Sequence, residues 1–63
     1  ALAGEAERLL TDASPLVRGA AVWALGRLLP RVKFAELEKK KSEDDSSVND
    51  EWAAVISDRH PRA

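Results

Sequence analysis

The sequence predicts an all-α protein: a right-handed stack of four helices, arranged as two helical hairpins at about residues 2–10, 15–29, 32–41 and 48–57. Three observations carry that expectation. Apolar residues recur at i, i+4, i+7 and i+8, the spacing that lines one face of a helix. Strong punctuation, Ser14-Pro15, Pro30 and the polar run 42–47, divides the apolar stretches. The chain also matches itself in pattern when slid by 31 residues, which sets Val17 on Val48, Leu25 on Ile56, Ala6 on Leu37 and Asp12-Ala13-Ser14 on Glu43-Asp44-Asp45.

The first helix places Leu2, Ala6, Leu9 and Leu10 on one face, with Glu5, Glu7 and Arg8 largely off it. Thr11-Asp12-Ala13 makes the turn. Ser14 is then a natural N-cap and Pro15 a natural first helical residue, because proline's missing N–H costs nothing there. The second helix is apolar almost all round: Val17, Ala20, Ala21, Ala24, Leu25 and Leu28 form a wide face that Leu16 and Trp23 extend sideways and Val22 and Leu29 carry further. Helices of that kind are buried ones, so Trp23 is expected in the core along with Trp52. Gly19 and Gly26 fall on nearly the same side, and since each costs about 1 kcal/mol against alanine within a helix, a neighbouring helix is expected to approach them closely.

Beyond Pro30, Phe34, Leu37 and Val32 point inward from the third helix, while Glu36 and Lys40 form a favourable i, i+4 pair. Asp45 or one of Ser46 and Ser47 caps the fourth helix, where Val48, Trp52, Val55 and Ile56 share a face. Residues 58–63 lack an apolar anchor and are expected to form a flexible tail. Residues 1–57 then make one domain, and a start in helix-like sequence without an initiating methionine is expected of a piece of a larger protein. A helical unit that cannot bury its own face must stack on a neighbour, the logic of repeat arrays. A four-helix bundle without repeat geometry is the alternative architecture.

Composition narrows function by exclusion. The 63 residues contain no cysteine, so no disulfide, thiolate zinc site or iron–sulfur cluster can be ligated. The single histidine, His60, lies in the polar tail and reads as solvated, since a metal site needs several convergent ligands. Glu43, Asp44 and Asp45 lack the glycine and the ligand spacing of an EF-hand loop. No stretch approaches the roughly 18 apolar residues of a membrane span. No signal peptide is visible, and a cytoplasmic setting is the default expectation. Without a nucleophile–base or metal constellation, catalytic, cofactor-binding and metal residues are all expected to be absent from this chain.

Residues Asp12-Ala13-Ser14-Pro15-Leu16-Val17-Arg18-Gly19-Ala20-Ala21-Val22-Trp23-Ala24-Leu25-Gly26-Arg27-Leu28 resemble the short HEAT-like repeat also found in phycobilin lyases. Ser-Pro-Leu-Val-Arg-Gly followed by Trp-Ala-Leu-Gly-Arg is more specifically similar to the C-terminal repeats of the tRNA epoxyqueuosine reductases. That resemblance implies a non-catalytic HEAT-like module that docks tRNA beside an upstream catalytic domain. It also implies that the parent enzyme, an oxidoreductase of queuosine biosynthesis, uses 4Fe–4S clusters and cobalamin bound elsewhere. The second unit departs from the pattern, with Asn49 in the arginine position and neither the proline nor the glycines, as a degenerate capping repeat would.

The candidate nucleic-acid contacts are cations: Arg18, Arg27, Arg31, Lys33, Lys39, Lys40 and Lys41. Each has a structural reading beside the functional one. Arg18, early in a helix where a cation opposes the macrodipole, is expected to bind Asp12 or a turn carbonyl and hold the corner. The three consecutive lysines equally suit a solvated helix C-terminus. The net charge of −1 argues against a strongly basic RNA binder but leaves room for a local patch. A structural or protein-interaction repeat with no nucleic-acid role is the alternative function.

Overall fold

A computed structural model describes residues 2–59. Four helices follow in order: α1 (Leu2–Leu9), α2 (Pro15–Leu28), α3 (Arg31–Lys40) and α4 (Ser46–Arg59). The sequence-based boundaries hold to within two residues, with the largest differences at the two ends of α4. That helix begins ahead of Val48 because the cap is Asp45, whose side chain accepts from the Val48 amide at 3.1 Å. It also continues past Ser57 through Asp58 to Arg59. The expected tail therefore starts too early, since no helix breaker precedes Pro61. The rest of that tail lies outside the described residues.

Local chemistry accounts for the other boundaries. Successive amides of Leu10, Thr11 and Asp12 reach back to Glu7, Arg8 and Leu9 at 3.1–3.2 Å, tightening the chain after α1. Ser14 is extended, with φ −86° and ψ 122°, and its hydroxyl accepts from the Val17 amide at 3.4 Å. Between α2 and α3 lie only Leu29 and Pro30; Pro30 holds φ −59° and ψ 152°, while its carbonyl accepts the Phe34 amide at 3.0 Å. Proline thus ends one helix and its oxygen begins the next.

Packing distinguishes a repeat stack from a simple bundle. A bundle of consecutive neighbours would press α2 on α3, but α2 packs most extensively on α4 and on α1, and only lightly on α3. The second helices of the two hairpins therefore lie side by side, as HEAT-like stacking requires. The molecule is a slab of 38 × 28 × 17 Å, its thin dimension matching two helix layers.

The core is built from Ala6 of α1, Val22 and Leu25 of α2, Phe34 of α3, and Val48, Trp52 and Val55 of α4. Phe34 and Trp52 meet with ring centroids 5.0 Å apart, a tilted contact that ties the second hairpin together. The paired glycines do admit α4. A Cβ on Gly26 would lie 2.5 Å from Val55 Cγ1, and one on Gly19 would lie 3.4 Å from Glu51 Cγ.

Trp23 corrects an expectation. It is 37% exposed at the rim of the α2–α4 seam, where its indole N–H donates to Glu51 Oε1 at 2.6 Å. Ala20 is exposed too, as are Leu16 and Leu28, with Leu16 at 86%. In this structure α2 is covered on only part of its circumference, so its apolar breadth exceeds what its neighbours bury. Val32, expected to point inward, is 70% exposed on the first turn of α3. Trp52, by contrast, is buried as expected.

Candidate functional site

The best-organised polar structure is a pair of corners at the starts of α2 and α4. In the first, the Ser14 amide donates to Asp12 Oδ2 at 2.9 Å, and the Arg18 amide donates to the Ser14 carbonyl at 3.0 Å. The Arg18 guanidinium donates to the Asp12 carbonyl at 2.7 Å and to the Ala13 carbonyl at 3.2 Å. In the second, the Asp45 amide donates to Glu43 Oε2 at 3.1 Å, the Asn49 amide to the Asp45 carbonyl at 3.0 Å, and Asn49 Nδ2 to the Glu43 carbonyl at 3.1 Å. The same four roles recur: an acid turns the chain, a cap opens the helix, its carbonyl takes the first helical amide, and a side chain one turn on closes the loop.

One residue links the two corners. Arg18 Nε donates to Glu43 Oε1 at 2.9 Å and its second nitrogen to Oε2 at 3.2 Å, a bidentate fork across the hairpin boundary. The Glu43 side chain is 6% exposed and that of Arg18 16%, so this is a largely buried pair. Its hydrogen bonds with Glu43 raise the Arg18 pKa above the ordinary arginine value, burial opposing and the charges of Glu43, Asp45 and Asp44 assisting. Hydrogen bonds from the Ser47 hydroxyl and the Val48 amide hold the Asp45 carboxyl below its ordinary value, with burial opposing.

The expected partners of Arg18 are thus found in part. The turn carbonyls are there, but the carboxylate is that of Glu43 rather than Asp12. The signal was present in the sequence, because the 31-residue self-match already aligned Asp12 with Glu43. It did not say that an arginine in one unit would reach the acid of the next. The Trp23–Glu51 hydrogen bond had no sequence signal at all.

The candidate cations divide into two groups. Arg18 is held in the corner, and Lys41 is half-buried, with Nζ 2.9 Å from Glu38 Oε2 and 5.3 Å from the Trp52 ring centroid. Arg27, Arg31, Lys33, Lys39 and Lys40 are exposed. Arg31 and Lys39 line a shallow groove on α3 with Val32, Ala35 and Glu36. The helix carries four cations against Glu36 and Glu38. A second cleft, between the corners, is lined by charges of both signs, among them Glu7, Asp12, Arg18, Lys40, Glu43 and Asp44.

Among the described residues no three histidine, cysteine or carboxylate groups gather as a metal site would require. No described helix is long and apolar enough to cross a membrane. Residues 6–32, from the second half of α1 through the first corner and α2 into the start of α3, match the family model of the HEAT repeat. None of the curated proteins or solved structures compared with the chain matches it.

Proposed function

We propose that this HEAT-like chain is a non-catalytic docking module that contacts RNA through α3 and the α2–α3 corner, as the C-terminal part of a tRNA epoxyqueuosine reductase. The observation that supports an RNA face is segregation of charge. In a chain of net charge −1, the exposed Arg27, Arg31, Lys33, Lys39 and Lys40 gather on one short helix and the bend leading into it. Such a patch attracts phosphate by releasing counterions, whatever the base sequence. The likeness of residues 12–28 to the repeats of that enzyme supports tRNA as the RNA and the cytoplasm as the setting. The iron–sulfur clusters and cobalamin would then belong to an upstream catalytic domain, whose side the module would flank.

Fluorescence anisotropy of a labelled tRNA across a salt series tests this reading. Binding is weak and falls steeply with salt, and Lys39→Gln and Lys40→Gln each reduce the log–log salt slope by about one. Binding that ignores salt, or that survives both substitutions together with Arg31→Gln, would end the RNA reading. The second reading, a purely structural repeat, is favoured by the internal engagement of Arg18 and Lys41. It predicts no chemical-shift changes on addition of tRNA at low salt.

A further inference from the structure

The cleft between the corners has a floor as well as a charged rim. α1 packs on α2, and α3 on α4 and α2, but α1 and α3 are not packed on each other. The gap left where those two helices end is a cavity of about 450 Å³, within the roughly 300–1,000 Å³ range of ligand clefts. Leu10, Leu37 and Trp52 give it apolar walls. Trp52 also brings a donor. The residue is 1% exposed, its ring touches Phe34 and lies under Lys41, and its indole N–H donates to none of the described residues. The N–H of Trp23, by contrast, is taken by Glu51. Every fully enclosed side-chain nitrogen and oxygen among the described residues has a partner, so the Trp52 N–H opens onto the surface, which Trp52 reaches at this cleft. An indole nitrogen can only donate, and a nearly buried donor without an acceptor is costly to leave unmet.

The rim decides which acceptor fits. Arg18 and Glu43 neutralise each other there, and Lys41 is paired with Glu38. The charges left without an ionic partner are the carboxylates of Glu7, Asp12 and Asp44 against the single ammonium of Lys40. A carboxylate or phosphate brought to the Trp52 N–H would meet that negative excess, whereas a neutral amide carbonyl would not. The three acids do not converge as a metal site would require, so they suit a cation carried on an extended molecule. Between floor and rim, the Leu10 and Leu37 walls match an aliphatic stem, which lysine and arginine side chains bury while keeping the charge in water.

We infer that this cleft binds an extended peptide segment of a partner protein through one lysine or arginine residue. A main-chain carbonyl of the segment accepts from the Trp52 indole, the side-chain stem lies between Leu10 and Leu37, and the cation meets Glu7, Asp12 and Asp44 at the rim. The site goes beyond the RNA reading and shares only Lys40 with the cations assigned to it, so the two stand or fall separately.

The two tryptophans make the test internal. In nitrogen-15 spectra of the full chain, each contributes one indole N–H resonance. Titration with acetyl-Gly-Lys-Gly-amide, or its arginine counterpart, at low salt should move the Trp52 indole saturably downfield and leave that of Trp23 in place. Amides of Leu10, Leu37 and Asp44 should move with it. Neither Glu7 nor Asp44 has an ionic partner within the chain, so Glu7→Gln and Asp44→Asn should leave the thermal midpoint nearly unchanged while each weakens peptide binding about two- to fivefold. Butylammonium, a cation without a carbonyl, should not shift the Trp52 indole, and acetyl-Gly-Glu-Gly-amide should not bind. A Trp52 indole that neither basic peptide moves overturns the inference. So does one moved equally by the glutamate peptide or by a short oligouridylate, which would make the cleft a site for anions or RNA.

Discussion

The two hairpins use one corner design and differ in what that corner can reach. Ser14 and Asp45, 31 residues apart, open α2 and α4 with the same backbone bonds, and Asp12 and Glu43 turn the chain before them. One turn further on stand Arg18 and Asn49. Both close their own loop onto a carbonyl; only the arginine also crosses to the neighbouring unit. Local architecture and stacking are therefore separable functions of the same position. A change of one side chain keeps the first and removes the second.

Three experiments sharpen that contrast, from the largest expected effect downward. The tryptophans differ most. Trp52, 1% exposed, should cost about 3–5 kcal/mol on truncation to alanine. A domain of this size holds only about 3–9 kcal/mol in total, so urea denaturation should find the variant largely unfolded. Trp23→Ala, at the rim, should cost about 1–2 kcal/mol, and Trp23→Phe, which removes the donor to Glu51, about 1 kcal/mol. Equal losses at the two positions would mean that the seam is covered more fully than the structure shows.

The glycines come next. Alanine at Gly26 must displace Val55, and that overpacking, about 1–3 kcal/mol, outweighs the gain of about 1 kcal/mol in helix propensity. At Gly19 the new methyl makes an ordinary contact with Glu51 Cγ, so most of the same gain survives. Thermal midpoints of Gly19→Ala and Gly26→Ala should therefore move in opposite directions. A common direction would overturn the reading of α4 as closest to α2 near Gly26.

Acid separates the corners by a smaller effect. The carboxyl of Asp45 is held below its ordinary value of 3.8, so its contribution is fully present above that pH and is lost as pH falls through the lower folded value. Ser14, the equivalent cap, has no charge to lose. In an NMR titration below pH 4, amides of Ser47 and Val48 should move before those of Val17 and Arg18. Asp45→Asn should keep the cap and flatten that part of the acid limb; an unchanged limb would remove Asp45 as its source.

Much of this was legible in the sequence, for reasons that are local. Ser14-Pro15 and Pro30 announce their boundaries through backbone chemistry that acts within a few residues. The start of α4 was ambiguous because Asp45, Ser46 and Ser47 are all competent caps, and only the folded geometry selects among them. Trp23 was misplaced because α2 is apolar nearly all round and so carries no internal mark of its outward side. Its exposure depends on which neighbours are present. Glu43 as partner of Arg18 lies 25 residues away, beyond any local rule, although the self-match had already put it in the equivalent place.

The clasp and the tight glycine contact also have a mechanical meaning. Arg18–Glu43 fastens one end of the boundary between hairpins, and Gly26 against Val55 seats it again eight residues along α2, about 12 Å away. A single attachment would be a pivot, about which one hairpin could swing against the other. Attachments at both ends resist that swing, so α2 and α4 are held at one angle. Cutting the fork would leave its end of the boundary to the α2–α4 packing and the Trp23–Glu51 hydrogen bond.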